Sequence, residues 1–287
     1  MKKFLLLLLI PISGLSIEAT AQGDLLLTPT RVVFEGNKQR EEINLVNTGK
    51  DTATYSISFV EYTMKNDGSY ALMGKSDSVK LSAEPYLRIF PRQITLAPGE
   101  PQVIMIQYRK KADMPIGEYR SHLYFRSEKD YTPLGSLSKD TTKLISVQLI
   151  PIYGISIPII IRHGVLNVTT SLTNLTLETQ SDLTQVLKLA INRAGNCSSY
   201  GDMIVDYINA QGKSHQIGKI VGVKVFTNLD QLNIAIKLSE TKALDSNLGK
   251  LKVRYVTSSD AKYLVYAEKE VNLEELQRAN LAITTAK

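Results

Sequence analysis

Apolar and polar residues alternate with a period of two along much of this 287-residue chain. That spacing puts successive side chains on opposite faces of a β-strand. The longest such run is 144–162, LISVQLIPIYGISIPIIIR, in which Ile145, Val147, Leu149, Ile155, Ile157, Ile159 and Ile161 share one parity. Fully extended it would reach roughly 60 Å at about 3.3 Å per residue, well beyond an ordinary strand. Pro151 and Pro158 have no amide hydrogen to give a ladder, so part of the run is expected at a sheet edge or a break. Two readings fit this pattern. One is a sandwich-core strand kinked at Pro151 or Gly154. The other is an edge held ready for another chain, which is an aggregation hazard unless it is covered.

The same alternation, in shorter pieces, predicts strands at 24–34, 42–46, 53–62, 86–90, 102–108 and 119–125. Turn clusters punctuate them at Glu35-Gly36-Asn37, Asn47-Thr48-Gly49, Asn66-Asp67-Gly68 (a hairpin signal), Ala97-Pro98-Gly99 and Pro115-Ile116-Gly117. A polar stretch, 127–143, leads into the long run. Short strands with turns at this spacing predict an immunoglobulin-like sandwich of about seven strands. The apolar run ends at Arg162-His163-Gly164, a candidate hinge. Strands are then predicted at 165–172, 186–192, 203–208, 222–226, 232–238, 251–256 and 263–271. Asn192-Arg193-Ala194-Gly195 weakly echoes Asn47-Thr48-Gly49 and supports a second sandwich. The expected fold class is all-β, divided into a leader (1–21), a first domain (22–162), a second (163–271) and a short helical or flexible tail (272–287). Its LEELQRA segment, 273–279, is marginal as a free helix.

Residues 1–21 have the form of an export signal. Lys2 and Lys3 precede an apolar stretch, and Ala19-Thr20-Ala21 supplies an A-x-A cleavage site before Gln22. The apolar stretch is too short for a stable transmembrane anchor, and no cysteine near the cleavage site offers a lipid anchor. The formal charge of +6 is spread along the chain, and Arg109-Lys110-Lys111 is too short for a nucleic-acid patch. Cys197 is the only cysteine, so no internal disulfide forms and each core must hold by packing. There is no tryptophan, which excludes the Cys-Trp-Cys signature of antibody domains.

Chemistry for catalysis is missing. His122, His163 and His215 stand apart without metal-ligand spacing, and Cys197 lies in a polar Asn-Cys-Ser-Ser run with no nearby histidine. No nucleophile elbow, P-loop or dinucleotide fingerprint occurs. Neither enzymatic activity, cofactor nor metal is expected.

Six segments, in order, resemble the PapD-like periplasmic chaperones of pilus assembly. They are 27–36 (LTPTRVVFEG), Asn47-Thr48-Gly49, 87–92 (LRIFPR), 96–100 (LAPGE), 115–125 (PIGEYRSHLYF) and the long run ending in Ile161-Arg162. The resemblance covers most of the first domain and weakens in the second, where Arg254-Tyr255-Val256 and the turn near Asp260 match the last hairpin. It implies two immunoglobulin-like domains set at an angle around a cleft. It also implies a periplasmic location and, as partners, pilus or fimbrial subunits whose own sandwich lacks a strand. An outer-membrane usher is left open as a further partner. The chaperone lends its edge strand to the subunit, an addition of β-strand across chains without ATP.

On this resemblance Ile145, Val147 and Leu149 are the candidate donor residues, each worth about 1.5–3 kcal/mol when buried. Arg31 matches the cleft arginine that holds the subunit's terminal carboxylate, a task suited to a planar guanidinium. At about 1.5–3 kcal/mol for a charged hydrogen bond, Arg31 is expected to set register while the strand supplies most affinity. The family's lysine partner for this arginine falls at Pro158, which has no charge. Either Arg31 acts alone or Lys143 approaches from the preceding loop. An acidic residue of the family's interdomain network falls near Arg120, leaving Glu118 as substitute, so Arg162, Glu118 and Asp260 are the expected hinge. The alternative is an exported structural or adhesive protein of tandem domains, with the long run buried in its own cores.

Overall fold

A computed structural model of the chain describes residues 24–74, 81–128, 152–182, 184–239, 249–257 and 264–276. The leader with its cleavage site, the donor candidates Ile145, Val147 and Leu149, and Lys143 and Asp260 lie outside the described residues.

Among the described residues, eleven strands come before Gly164. They are β1 (Leu25–Thr28), β2 (Val32–Phe34), β3 (Arg40–Asn47), β4 (Ala53–Val60), β5 (Tyr62–Met64), β6 (Tyr70–Leu72), β7 (Leu87–Phe90), β8 (Gln93–Leu96), β9 (Pro101–Tyr108), β10 (Gly117–Glu128) and β11 (Gly154–His163). A sheet ordered β1-β3-β9-β7 lies against a second ordered β2-β11-β10-β4-β8. Phe34, Ile43, Leu45, Ile104, Leu123 and Ile159 are fully buried in the core between them. Two breaks at proline and the β5–β6 hairpin account for the four strands beyond the seven expected. Pro29 separates β1 from β2, and Pro91 separates β7 from β8; each pair divides between the two sheets. A residue that cannot donate to a ladder is a natural place for a strand to change sheets.

The described part of the long run, β11, faces inward on the predicted parity. Ile157, Ile159 and Ile161 are core residues and Ile155 packs beside them. β11 pairs antiparallel with β10 along its whole length, whereas β2 covers its other side only at Ile159–Ile161. From Gly154 to Pro158 the described residues place no strand there, so Pro158 sits where its missing amide hydrogen costs no ladder bond.

After Gly164 come β12 (Val168–Thr179), β13 (Gln185–Gly195), β14 (Ser199–Ile208), β15 (Ser214–Val225), β16 (Gln231–Lys237), β17 (Lys250–Thr257) and β18 (Val265–Asn272). The sheet β12-β13-β16 packs on β15-β14-β17-β18, around Leu187, Ile191, Met203, Ile236, Val253 and Tyr255. All seven predicted strands occur, mostly longer than the alternation alone indicates. Bulges carry them past breaks in parity, as where β15 shifts register against β14 around Gly222, held at φ +73°. The start of the tail is helical at 273–276, and Leu273 and Leu276 are buried in this core.

Two details differ from the sequence reading. The 66–68 turn does form a hairpin, β5–β6, but that hairpin leaves the first sandwich and lies on the second. Met64 is buried in the second core. Asn228 Nδ2 donates to Thr63 Oγ1 at 3.0 Å and to the Met64 carbonyl at 2.8 Å, and the Asn233 amide donates to the Asn66 carbonyl at 2.7 Å. The echo between Asn47 and Asn192 is also not structural. Asn47 Nδ2 ties its own turn to the Asp51 and Leu96 carbonyls, whereas Asn192 lies within β13 and bonds Thr173. In the second sandwich it is Arg193 that gathers a turn, through the carbonyls of Gly195, Cys197 and Leu229.

Candidate binding cleft between the sandwiches

Along β10 and β11, the residues of the parity opposite to the core point away from the first sandwich. They include Glu118, Arg120, His122, Ile160 and Arg162, and Arg31 immediately precedes β2 in the same sheet. Ile160 is fully buried although it is not a member of the first core. That face is covered by the start of β14, the end of β15 and the β5–β6 hairpin.

One cluster on this face is paired. Glu118, with a fully buried side chain, accepts from Arg120 Nη2 at 2.8 Å, Arg162 Nε at 3.4 Å, the Ser198 amide at 3.2 Å and Ser198 Oγ at 2.8 Å. Its own amide donates to the Asn196 carbonyl. Burial pushes the Glu118 carboxyl upward, but Arg120, Ser198 and Arg162 outweigh it and hold the group below its ordinary value. Burial likewise works against the charge on Arg162, and Glu118 and Glu35 more than offset it. The expected contact of Arg162 with Glu118 is therefore present, joined by Glu35 at 3.3 Å and by Ser198 of the second sandwich. Nearby Cys197 is buried, and burial raises its thiol pKa, the opposite of a reactive thiolate.

Among the described residues, the neighbouring cations Arg31 and Lys224 are not paired, and they lie beside the paired Arg120. The Arg31 guanidinium lies over the Tyr200 ring, 4.2 Å from its centroid, and that of Arg120 lies 3.9 Å over Phe226. Lys224 stands opposite Tyr200 in the β14–β15 register, which sets it beside Arg31, and its ammonium is 5.8 Å from the Tyr70 ring. Neither Arg31 nor Lys224 has a carboxylate partner among the described residues. Burial and then Arg120 lower the Arg31 pKa; burial, Arg120 and Arg31 lower that of Lys224. His122 is pushed down to about 4 by burial, Arg120 and Lys224, so it is neutral at pH 7. It meets the edge of the Tyr62 ring at 4.9 Å. Its Nδ1, and Arg120 Nη1, are buried without a hydrogen-bond partner among the described residues.

The chemistry of this arrangement is that of an anion receptor with aromatic walls. It has unneutralised cations, spare donors and apolar surface. Among the described residues no group of three His, Cys, Asp or Glu is placed to hold a metal ion. Of the residues singled out from the sequence, Arg31, Arg162 and Glu118 come together at the junction. Pro158, opposite His122, brings no charge there. The sequence reading did not assign Arg120, His122, Ser198 or Lys224 to this cleft. Arg120 and His122 share a strand face with Glu118, a signal that alternation could have supplied. Lys224 had none, because its place depends on how the two sandwiches meet.

No protein-family model matches this chain, and no curated protein matches it in sequence. Among solved structures it is similar to a chain of the CsuC–CsuE chaperone–tip adhesion subunit pre-assembly complex from the archaic chaperone-usher Csu pili of Acinetobacter baumannii. That match has 13% identity and a TM-score of 0.45, and it covers 86% of this chain and 97% of the other. It is also similar to the YadV chaperone, at 12% identity and a TM-score of 0.42, covering 86% of this chain and 100% of the other. The Pseudomonas aeruginosa CupB2 chaperone matches at 13% identity and a TM-score of 0.39, with 86% and 100% covered. At these values the likenesses are distant, and the functional reading stands on the cleft itself.

Proposed function

We propose that this protein is a periplasmic, ATP-independent chaperone of pilus or fimbrial subunits and has no enzymatic activity. Exported by a leader cleaved after Ala21, it lends the 144–162 edge strand to a subunit that lacks one, with Ile145, Val147 and Leu149 filling the subunit's groove. The observation that carries this reading is Arg31, stacked on Tyr200 between the two sandwiches and lacking a carboxylate partner among the described residues. A terminal carboxylate entering the cleft would supply that partner, and the bidentate fork of the guanidinium fits it. The side of β11 left open from Gly154 to Pro158 among the described residues accords with a strand that continues as a template for another chain. Arg162 and Glu118, with Asp260 as the proposed third member, set the angle at which the two sandwiches present the cleft.

The test is recovery of the tagged protein from the periplasm of its host, with co-purifying chains identified by mass. The wild type is expected to bring down a small exported β-rich subunit in a one-to-one ratio. Arg31→Ala and Leu149→Asp should each lose it. A partner retained by both variants rejects the proposed site, and a stable monomer with no partner rejects the chaperone reading.

A further inference from the structure

The junction between the sandwiches is tied at two places, by different chemistry. One tie is ionic and lies at the start of β10, where Glu118 accepts from Ser198 of the second sandwich. The other is the β5–β6 hairpin, whose root stays with the first sandwich. There the Met73 amide donates to the Glu61 carbonyl at 2.9 Å, and the Glu61 carboxylate accepts from Ser82 Oγ at 2.7 Å and Ser121 Oγ at 2.5 Å. The shaft leans on both domains, since Tyr62 meets His122 of β10 edge-on and the Tyr70 ring lies 5.5 Å from that of Phe226. The tip belongs to the second sandwich. Among the described residues, Met64 is the one member of the second core that comes from before Gly164. Asn228 and the Asn233 amide hold the backbone and Thr63 around it.

A core side chain borrowed from the other domain leaves a hole when it is withdrawn, so the hairpin cannot lift without cost to the second sandwich. The two ties are also well apart. His122, against the hairpin, lies four residues along β10 from Glu118, roughly 13 Å at about 3.3 Å per residue. Rotation about either tie is therefore blocked by the other. We propose that the β5–β6 hairpin is a strap, with Met64 as its plug, that locks the second sandwich in one orientation to the first and holds the cleft pre-formed, without a hinged closure. Met64 is a positioning residue, which acts on the cleft through the orientation it fixes. The strap does not depend on the chaperone reading; its consequence for a bound subunit does.

The test uses the whole mature chain, with residual dipolar couplings reporting the relative orientation of the sandwiches. Hydrogen exchange at the Asn233 amide, which donates to the Asn66 carbonyl, reports the seating of the strap. The wild type is expected to fit a single orientation. Met64→Ala should speed Asn233 exchange about thirtyfold or more, the range for truncating a buried methionine. It should also spread the orientations, while the amides of β3 and β9 keep their protection. Met203→Ala makes the same truncation at a fully buried methionine that the second sandwich supplies itself. It should weaken that sandwich and leave one orientation. Asn228→Ala removes two hydrogen bonds and no core atom, and should spread the orientations to a smaller extent. Several orientations in the wild type overturn the strap, as does an equal spread in Met203→Ala. So does a single orientation in a folded Met64→Ala or, should that variant not fold, in Asn228→Ala. The host pull-down separates this from the chaperone reading. A subunit recovered less well by Met64→Ala than by the wild type supports the pre-formed cleft, and full recovery despite spread orientations overturns it. If the wild type recovers no subunit, the chaperone reading fails, and the couplings still decide the strap.

Discussion

The cleft holds two groups of cationic side chains side by side, and they differ in one respect. Around Glu118, Arg120 and Arg162 have a buried carboxylate between them, and both of its oxygens are occupied, one of them by Ser198 as well as Arg162. Around Tyr200, Arg31 and Lys224 face ring surfaces and one another. The first group is a joint; its charges are satisfied within the chain and connect one sandwich to the other. The second, a receptor on the proposed reading, has the same kinds of side chain and no counter-ion among the described residues. On the proposed reading, what separates a structural arginine from a binding one is whether the fold provides its acid. Arg120 takes part in both, donating through Nη2 to Glu118 while its Nη1 has no partner among the described residues.

The comparison is most easily broken at Glu118. Glu118→Ala leaves Arg120 buried without its counter-ion and removes the acceptor for Ser198. A loss of about 3–5 kcal/mol in stability is expected, as for breaking one side of a buried pair, read by urea unfolding. Small-angle scattering should show a changed interdomain angle as well. Stability and profile both unchanged would mean that the paired group is no joint.

Next in size is a pH effect carried by His122, which belongs to the unpaired side. Its folded pKa of about 4 lies below the usual 6.5 because burial, Arg120 and Lys224 all oppose its charge. Above pH 6.5 it is neutral in folded and unfolded chains alike and has no effect on stability. Between 6.5 and 4 the unfolded chain takes up a proton that the folded chain refuses, so stability falls as the pH drops. The slope is about 1.4 kcal/mol per pH unit, and the total about 3 kcal/mol. Unfolding curves across this window should show that loss in the wild type and a flatter acid limb in His122→Gln. Equal acid limbs would remove His122 from the account.

The smallest effect has the opposite sign and sharpens the contrast most. Lys224→Gln relieves repulsion in a group that has no counter-ion among the described residues, so the ligand-free protein should gain up to about 1 kcal/mol, measured by the same unfolding curves. Removing charge from the paired group destabilises the fold and removing it from the unpaired group does not. A destabilised Lys224→Gln would place Lys224 among the structural charges.

Much of this architecture is legible without coordinates. Period-two alternation located every described strand of the second sandwich, because a residue facing a core must be apolar wherever the core lies. The same logic put Ile157, Ile159 and Ile161 inside. Strand ends were less legible. Bulges let β12 and β15 continue past the point where parity fails, and their cost is met by pairing with β13 and β14. The β5–β6 hairpin was visible from Asn66-Asp67-Gly68, yet its destination was not. Nothing local to Met64 distinguishes packing in its own sandwich from packing in the neighbouring one.

By itself, then, the amino-acid order determined an all-β chain of two sandwiches and its inward faces, since these depend on local period; Arg31, Arg162 and Glu118 were singled out only through the resemblance to a known family. The tertiary structure alone decided which charges are neutralised. Glu118 finds Ser198 eighty residues away, and Lys224 comes to stand beside Arg31 only because Tyr200 and the β14–β15 register place it there. Whether a charge is paired is a property of distances between elements remote in sequence, and those distances are set when the two cores close against each other.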